Sequence, residues 1–304
     1  MPKFTVAAVQ AGSKLFDTNA TIALFAEKLK EAGKIGADLA VFPEAFIGGY
    51  PKGIDFGVRV GMRLPEGRDQ FRQYLDGAIE RTSPQMAEIQ ALVKDAQINV
   101  VLGLIEREGG TLYCSSAAIG RDGEILSWHR KLMPTAMEKV IWGQGDGSTM
   151  KVARSDVGVL SLAICWENYM PLFRSHLYDQ GTQVHCVSTV DDRDVWLPTM
   201  QTIALEGRCF VVSACQYMTV DDVRADWFEP VQGTAPGTVL IKGGSCIISP
   251  MGEVLAAPVF GREAIVTAEI DLDDIKRAKF DLDISGHYSR PDVFRLAVNT
   301  EPQR

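Results

Sequence analysis

The 304-residue sequence contains no Cys-x-x-Cys pair, only four histidines, and no cluster of lysines and arginines. Each shortage removes a class of function. A bound metal needs clustered thiolates or imidazoles, and a stretch such as Cys114-Ser115-Ser116 offers a single sulfur. No metal and no other cofactor is expected. Nucleic-acid and anionic-membrane binders draw their affinity from a basic surface. Here 31 basic residues face 39 acidic ones, for a net charge of −8. No uninterrupted apolar stretch reaches the roughly 18 residues that a membrane span requires. A secretory leader is not expected either, because Met1-Pro2-Lys3 runs directly into a strand-like segment. Six cysteines are scattered singly, five of them in apolar runs such as Val184-His185-Cys186-Val187. Most read as small buried hydrophobes in a reducing, cytoplasmic protein. The remaining composition, 46% hydrophobic and 23% charged, is ordinary for a globular chain that buries a core without disulfides. It fits a protein acting on small molecules.

Strand-like and helix-like patterns alternate along the chain. Phe4 to Val9 and Asp38 to Phe42 read as buried strands, with an amphipathic helix from Asn19 to Glu31 between them. Ser83-Pro84 caps a second helix, whose apolar side recurs at Met86, Ile89, Leu92 and Val93. Val100 to Ile105 follows as a strand. Tyr113 to Ile119 and Glu124 to His129 flank a glycine-bounded turn and predict a hairpin. A similar hairpin returns at Ser245–Ser249 and Glu253–Ala256. Two hairpins, each preceded by strand–helix units, predict two comparable halves of a layered α/β domain. No Pro/Ser-rich linker divides them. The glycine-rich stretches 53–80 and 219–244 read as long loops, and the tail from about residue 285 carries no clear periodicity.

Cys165 is the most informative position. It ends the apolar run Val157 to Ile164 and opens the polar Trp166-Glu167-Asn168. A strand that stops at a thiol aims it into the crevice at the strand's carboxyl end, where α/β sheets commonly bind ligands. Backbone N–H groups after it, at a turn or helix start, would lower a thiol pKa and hold a developing anion. Locally the residue fits either a nucleophile or another buried thiol. A nucleophilic thiol needs a base or a cation at neutral pH, and a Cys–His pair stays open on counting alone. Glu44 ends the buried run Leu39 to Pro43, where burial raises a carboxylate toward general-base range. Lys131 follows the hairpin strand that ends in Trp128-His129-Arg130, and a desolvated ammonium there would stabilise negative charge.

Together, Phe42-Pro43-Glu44, His129-Arg130-Lys131-Leu132 and Cys165-Trp166-Glu167-Asn168 resemble the three catalytic blocks of the nitrilase superfamily of carbon–nitrogen hydrolases. The likeness runs from about residue 4 to 296. Phe46 to Gly53, Lys131 to Thr135, Gly143 to Gly147 and Gly286 to Asp292 are similar to the true nitrilase branch. The resemblance implies a four-layer α-β-β-α sandwich, one carbon–nitrogen hydrolase domain over 1–304 with a short tail from about 285. It also implies a cofactor-free thiol hydrolase that converts a nitrile to a carboxylic acid and ammonia. Glu44, Lys131 and Cys165 would be catalytic, Glu138 and Trp166 supporting, and Tyr50 and Trp142 would wall the pocket. Members pair through helices around the nucleophile block into an α-β-β-α-α-β-β-α dimer, and Met170, Leu172, Phe173 and Leu177 would supply apolar contacts. A homodimer or larger homo-oligomer follows, without the extended spirals of members with longer C-terminal segments. Rival readings are an amidase or carbamoylase, a cyanide hydratase or dihydratase, and a non-catalytic binding or scaffold protein on the same fold.

Overall fold

The computed structural model describes residues 3–303; Met1, Pro2 and Arg304, the ends of the expected domain, lie outside the described residues. In chain order, the first half comprises β1 (Lys3–Gln10), α1 (Thr18–Ile35), β2 (Leu39–Val41), β3 (Val58–Arg59), β4 (Met62–Arg63), α2 (Pro65–Asp76), α3 (Pro84–Ala96), β5 (Asn99–Glu108), β6 (Thr111–Ile119) and β7 (Ile125–Arg130). The second comprises β8 (Ala153–Ser155), β9 (Gly158–Ile164), α4 (Pro171–Asp179), β10 (Val184–Thr189), α5 (Trp196–Gly207), β11 (Phe210–Cys215), β12 (Tyr217–Thr219), β13 (Val239–Lys242), β14 (Cys246–Ile248) and β15 (Val254–Ala256). β16 (Ala264–Asp271) and α6 (Asp273–Ala278) close the fold.

Two six-stranded sheets result, ordered β16-β1-β2-β5-β6-β7 and β15-β14-β11-β10-β9-β8. The halves match strand for strand. In each, three parallel strands run through the centre, an antiparallel hairpin extends one side, and an antiparallel strand edges the other. Side-chain alternation sorts the layers, because successive strand residues face opposite ways. Val6 and Ala8 of β1, Leu39 and Val41 of β2, and Val101 of β5 join Leu160, Leu162, Val184, Phe210 and Val212 in the core between the sheets. Their neighbours Ala7, Val9, Ala40 and Val100 pack outward on Ile22, Phe25 and Leu29 of α1 and Met86, Ile89 and Val93 of α3. On the other side, Val187, Val211 and Ile248 pack on Trp196, Met200 and Ile203 of α5. The order of layers is α-β-β-α.

Local chemistry explains the helix ends. Asp17 accepts from Ala20 N–H at 2.9 Å and starts α1, and left-handed Gly36 ends it. Helix α1 therefore outruns the expected Asn19–Glu31 at both ends. Ser83 caps α3 as expected, accepting from Met86 N–H at 3.2 Å, with Pro84 in the first turn. The stretch 53–80 departs from expectation, since it folds into the β3–β4 ribbon and α2 rather than an open loop. Its apolar residues Phe71, Tyr74 and Leu75 lie at helical spacing and pack in the cluster around the strand ends. The stretch 219–244 is likewise part-ordered, with β13 pairing on β12. Residues 285–303 carry no helix or strand, as expected, yet Gln303 N–H donates to Asp146 at 2.9 Å. Among the described residues no helix is long and apolar enough to cross a membrane.

Candidate active site

Three chain segments deliver charged or nucleophilic groups to one buried point. Beyond the carboxyl end of β2 the chain turns at Glu44-Ala45, with Ala45 left-handed at φ 51°. β7 runs out into Lys131, and β9 into Cys165, itself left-handed at φ 49°. Non-glycine residues in that region are uncommon and persist where the surroundings enforce them. The Glu44 turn is held by Gln216, whose amide donates to the Glu44 carbonyl at 2.8 Å, and by Ser188, which donates to the Phe42 carbonyl at 2.8 Å. Gly103 of β5 makes room for it. A Cβ there would stand 2.1 Å from the Pro43 carbonyl oxygen and 2.8 Å from the Glu44 Cα. Gly103→Ala is expected to displace Glu44 and reduce turnover by about 10²-fold, because misplacement near 1 Å has that effect. Wild-type turnover in the variant would show that the backbone yields elsewhere.

The groups form one hydrogen-bonded cluster. Lys131 Nζ donates to Glu44 Oε1 and to Glu138 Oε2, each at 2.7 Å, and Tyr50 OH donates to Glu138 Oε1 at 2.8 Å. Glu138, whose side chain is only 9% exposed, is the third residue of a short 3-10 helix at Ala136–Val140, and the N–H of its capping residue Thr135 also donates to it. It is no surface charge. Burial pushes the Glu44 carboxyl up to about 7, against the pull of Lys131, and Glu138 adds to the rise. Burial alone would lower Lys131, yet the Glu44 charge and its neighbours hold it well above the ordinary lysine value. Burial and the Glu44 charge push the Cys165 thiol up. The resting state is thus a neutral thiol and a charged ammonium beside a carboxyl that titrates near neutrality. Such a carboxyl is suited to taking a thiol proton and returning it. Glu44 Oε2 is buried and, among the described residues, has no hydrogen-bond partner.

The other expected residues divide. Tyr50 and Trp142 stand together, ring centroids 5.7 Å apart, and with Glu138 they line a cavity of about 250 Å³. Trp142 also lies 5.7 Å from Lys131 Nζ. The Trp166 indole donates to Asp191 at 2.8 Å rather than to Glu44 or Glu138, and the residue is 42% exposed. Asp191 is a buried partner of that indole. A larger cavity of about 570 Å³ lies by Glu106, Arg130 and Asp146, and neither Glu44, Lys131, Glu138 nor Cys165 lines it. Of the expected pairing residues, Phe173 and Leu177 pack inside the chain, while Met170 and Leu172 are exposed.

Several neighbours escaped the sequence reading. Cys114 donates its S–H to Glu44 Oε1 at 3.6 Å, and its carbonyl accepts from Lys131 N–H at 2.8 Å. The β6–β7 register puts Cys114 across from Lys131, so the hairpin held that signal. Glu167 is buried and accepts from Leu132 N–H at 2.6 Å, Ile164 N–H at 2.9 Å and His129 Nε2 at 3.0 Å. One carboxylate thereby ties the Lys131 strand end to the Cys165 strand end. Among the described residues no group of three or more His, Cys, Asp or Glu side chains is arranged to hold a metal.

This geometry has close relatives. The carbon–nitrogen hydrolase profile matches residues 5–280. A nitrilase of Bradyrhizobium diazoefficiens is 50% identical over 99% of this chain and 94% of its own. An aliphatic nitrilase of Sinorhizobium fredii is 47% identical over 100% and 98%, and an arylacetonitrilase of Trametes versicolor is 50% identical over 91% of each. Among solved structures, the C. elegans NitFhit protein superposes with a TM-score of 0.76 at 18% identity, covering 99% of this chain and 68% of that one, a likeness of fold. The chain belongs to the carbon–nitrogen hydrolase family, within its nitrilase branch.

Proposed function

We propose that the protein hydrolyses an organic nitrile to the carboxylic acid and ammonia through covalent intermediates on Cys165. The observation that carries this is the buried Lys131 ammonium, 2.7 Å from both Glu44 and Glu138, at the strand end facing the thiol's. Glu44 accepts the Cys165 proton as sulfur attacks the nitrile carbon and passes it to the nitrogen, leaving a thioimidate and a free Glu44 carboxylate. Lys131 and the backbone N–H groups after Cys165 stabilise the charge developing on that nitrogen. Water, giving a proton to Glu44, adds to the same carbon. Ammonia leaves and a thioester remains, and a second water releases the acid and restores the thiol. Splitting one hard addition into easier steps is the benefit of covalent catalysis. Expulsion of sulfur from the tetrahedral intermediate instead gives an amide. Glu138 orients Lys131, and Tyr50 and Trp142 wall the approach.

The partner reading is a homodimer or larger homo-oligomer built on α4, where Met170 and Leu172 leave apolar surface exposed. The six free, buried cysteines suit a reducing, cytoplasmic setting.

The test measures ammonia, acid and amide released from aliphatic, aromatic and arylacetic nitriles, their amides, and cyanide. Cys165→Ala serves as the blank. Acid from nitriles, absent in the blank, is the expected result. Turnover of amides alone would move the protein to amide hydrolysis with the same three residues, and cyanide alone to a cyanide hydratase or dihydratase. Folded protein inert to every compound would favour a binding role.

A further inference from the structure

Behind the thiol, three side chains outside the acid–base cluster form a chain of hydrogen bonds ending on the backbone of Cys165. Asn168 Nδ2 donates to the Cys165 carbonyl at 2.8 Å, His185 Nε2 meets Asn168 Oδ1 at 2.8 Å, and Ser161 Oγ meets His185 Nδ1 at 2.8 Å. All three residues are fully buried. Their elements are those of the site: Ser161 in β9, His185 in the neighbouring β10, and Asn168 in the short 3-10 helix Cys165–Tyr169.

The carbonyl end fixes every direction. A carbonyl oxygen only accepts, so Asn168 turns its nitrogen to Cys165 and its oxygen to the ring. That oxygen also only accepts, so the imidazole proton is on Nε2. The bare Nδ1 then accepts a hydrogen bond from the Ser161 hydroxyl. Burial, followed by the nearby Arg174 charge, holds His185 down to about 3, which keeps the ring neutral and in this tautomer. The far side of the turn is secured too, since Arg174 donates to the Asn168 carbonyl at 2.5 Å and pairs with Glu206 at 3.0 Å.

What the chain restrains is Cys165, left-handed at φ 49° directly after Ile164 at φ −111°. For an L-residue that conformation is disfavoured, so an unrestrained turn would relax and swing the sulfur. We propose that Asn168, His185 and Ser161 are positioning residues that clamp the Cys165 carbonyl, keep the elbow left-handed and so set the rate of thiol attack. This rests on Cys165 being the nucleophile.

The test compares Asn168→Leu, His185→Leu, His185→Gln and Ser161→Ala. Gln keeps a donor and an acceptor at position 185, whereas Leu keeps neither. Readouts are kcat and KM on the nitrile or amide turned over, the alkylation rate of Cys165 by iodoacetamide followed by peptide mass spectrometry, and Tm. The two Leu variants are expected to lose about 10²-fold in kcat with KM within about threefold, the signature of a misplaced nucleophile. Their alkylation should slow at least about tenfold, with His185→Gln within about fivefold of wild type and Ser161→Ala between. Equal losses in His185→Gln and His185→Leu would overturn the proposal in favour of simple packing, as would wild-type alkylation in Asn168→Leu. If the Leu variants fail to fold, a Ser161→Ala loss set against His185→Gln retention supports the clamp, and no difference overturns it. If wild type turns over neither nitrile nor amide, the nitrile reading fails while alkylation still tests the clamp. A wild-type thiol inert to alkylation as well would overturn both.

Discussion

Lys131→Met is expected to abolish turnover and to lower Tm by about 6–15 °C, with the stability gap widening as pH rises. The ammonium is fully buried and stands 2.7 Å from two carboxyls. Removing only the cation leaves both acids buried and uncompensated, a change that costs about 3–5 kcal/mol in comparable ion pairs. At roughly 2–3 °C per kcal/mol for a chain of this size, the shift follows. The pH dependence has a definite sign. Without the ammonium, the folded-state pKa of Glu44 rises further above its ordinary 4.5. A carboxyl raised in this way is protonated in the folded protein and tolerated at low pH. Wild type shares the loss that begins past the unfolded value up to its own folded value of about 7, so the extra destabilisation of the variant opens as pH climbs past about 7 and is complete only above the variant's higher folded value. Thermal melts of both proteins should therefore shift in parallel below about pH 7 and draw further apart above it. Adding Glu138→Gln should recover part of the loss. A gap equal at every pH would reduce Lys131 to a filler of volume.

Glu44→Gln is expected to lower kcat/KM by about 10³-fold, the scale of a lost general base, while leaving the fold intact. Gln can still accept from Lys131 but cannot take the thiol proton. The carboxylate is the working form, so wild-type kcat/KM should rise with pH through about 7 and then level off. That limb should vanish from the residual activity of Glu44→Gln. A persisting limb would assign the base to another group, with Glu138 the next candidate.

Glu44 and Cys165 were legible because each ends an apolar strand, and an abrupt change from apolar to charged or nucleophilic marks a strand's exit. Lys131 instead follows His129-Arg130 and was legible as the residue after a hairpin strand. The two-halves architecture was legible for a related reason: each half closes with a glycine-turned hairpin, and β6–β7 and β14–β15 fall where those turns place them. What stayed hidden depends on register and on burial by distant segments. Cys114 becomes a neighbour of Glu44 through the sheet order β2-β5-β6, and of Lys131 through the pairing of β6 with β7. Ser161 and His185 meet because β9 and β10 are adjacent and in register, with His185 opposite Ser161. Helix α2 was obscured by its charges and by Gly67, yet that glycine is where the helix touches the chain: a Cβ would fall 1.8 Å from the Phe56 carbonyl. Trp166, adjacent to the thiol in sequence, lies in the 3-10 helix Cys165–Tyr169 and turns its indole to Asp191, a partner 25 residues on that no local pattern marks.

Glu44 and Lys131 extend from strands of one sheet and Cys165 from a strand of the other, and the packed layer of Val6, Leu39, Val101, Leu160 and Phe210, with the hydrogen bonds of Glu167, Ser188 and Gln216 across it, holds them in line. Turnover is therefore a gauge of how firmly one sheet rests on its partner. Heat or denaturant that lets the sheets slip by about 1 Å separates base from thiol and silences the chemistry, while each sheet keeps its own hydrogen-bond ladder and circular-dichroism signal. Inactivation then runs ahead of melting, and the upper working temperature belongs to the contact between the sheets rather than to either sheet alone.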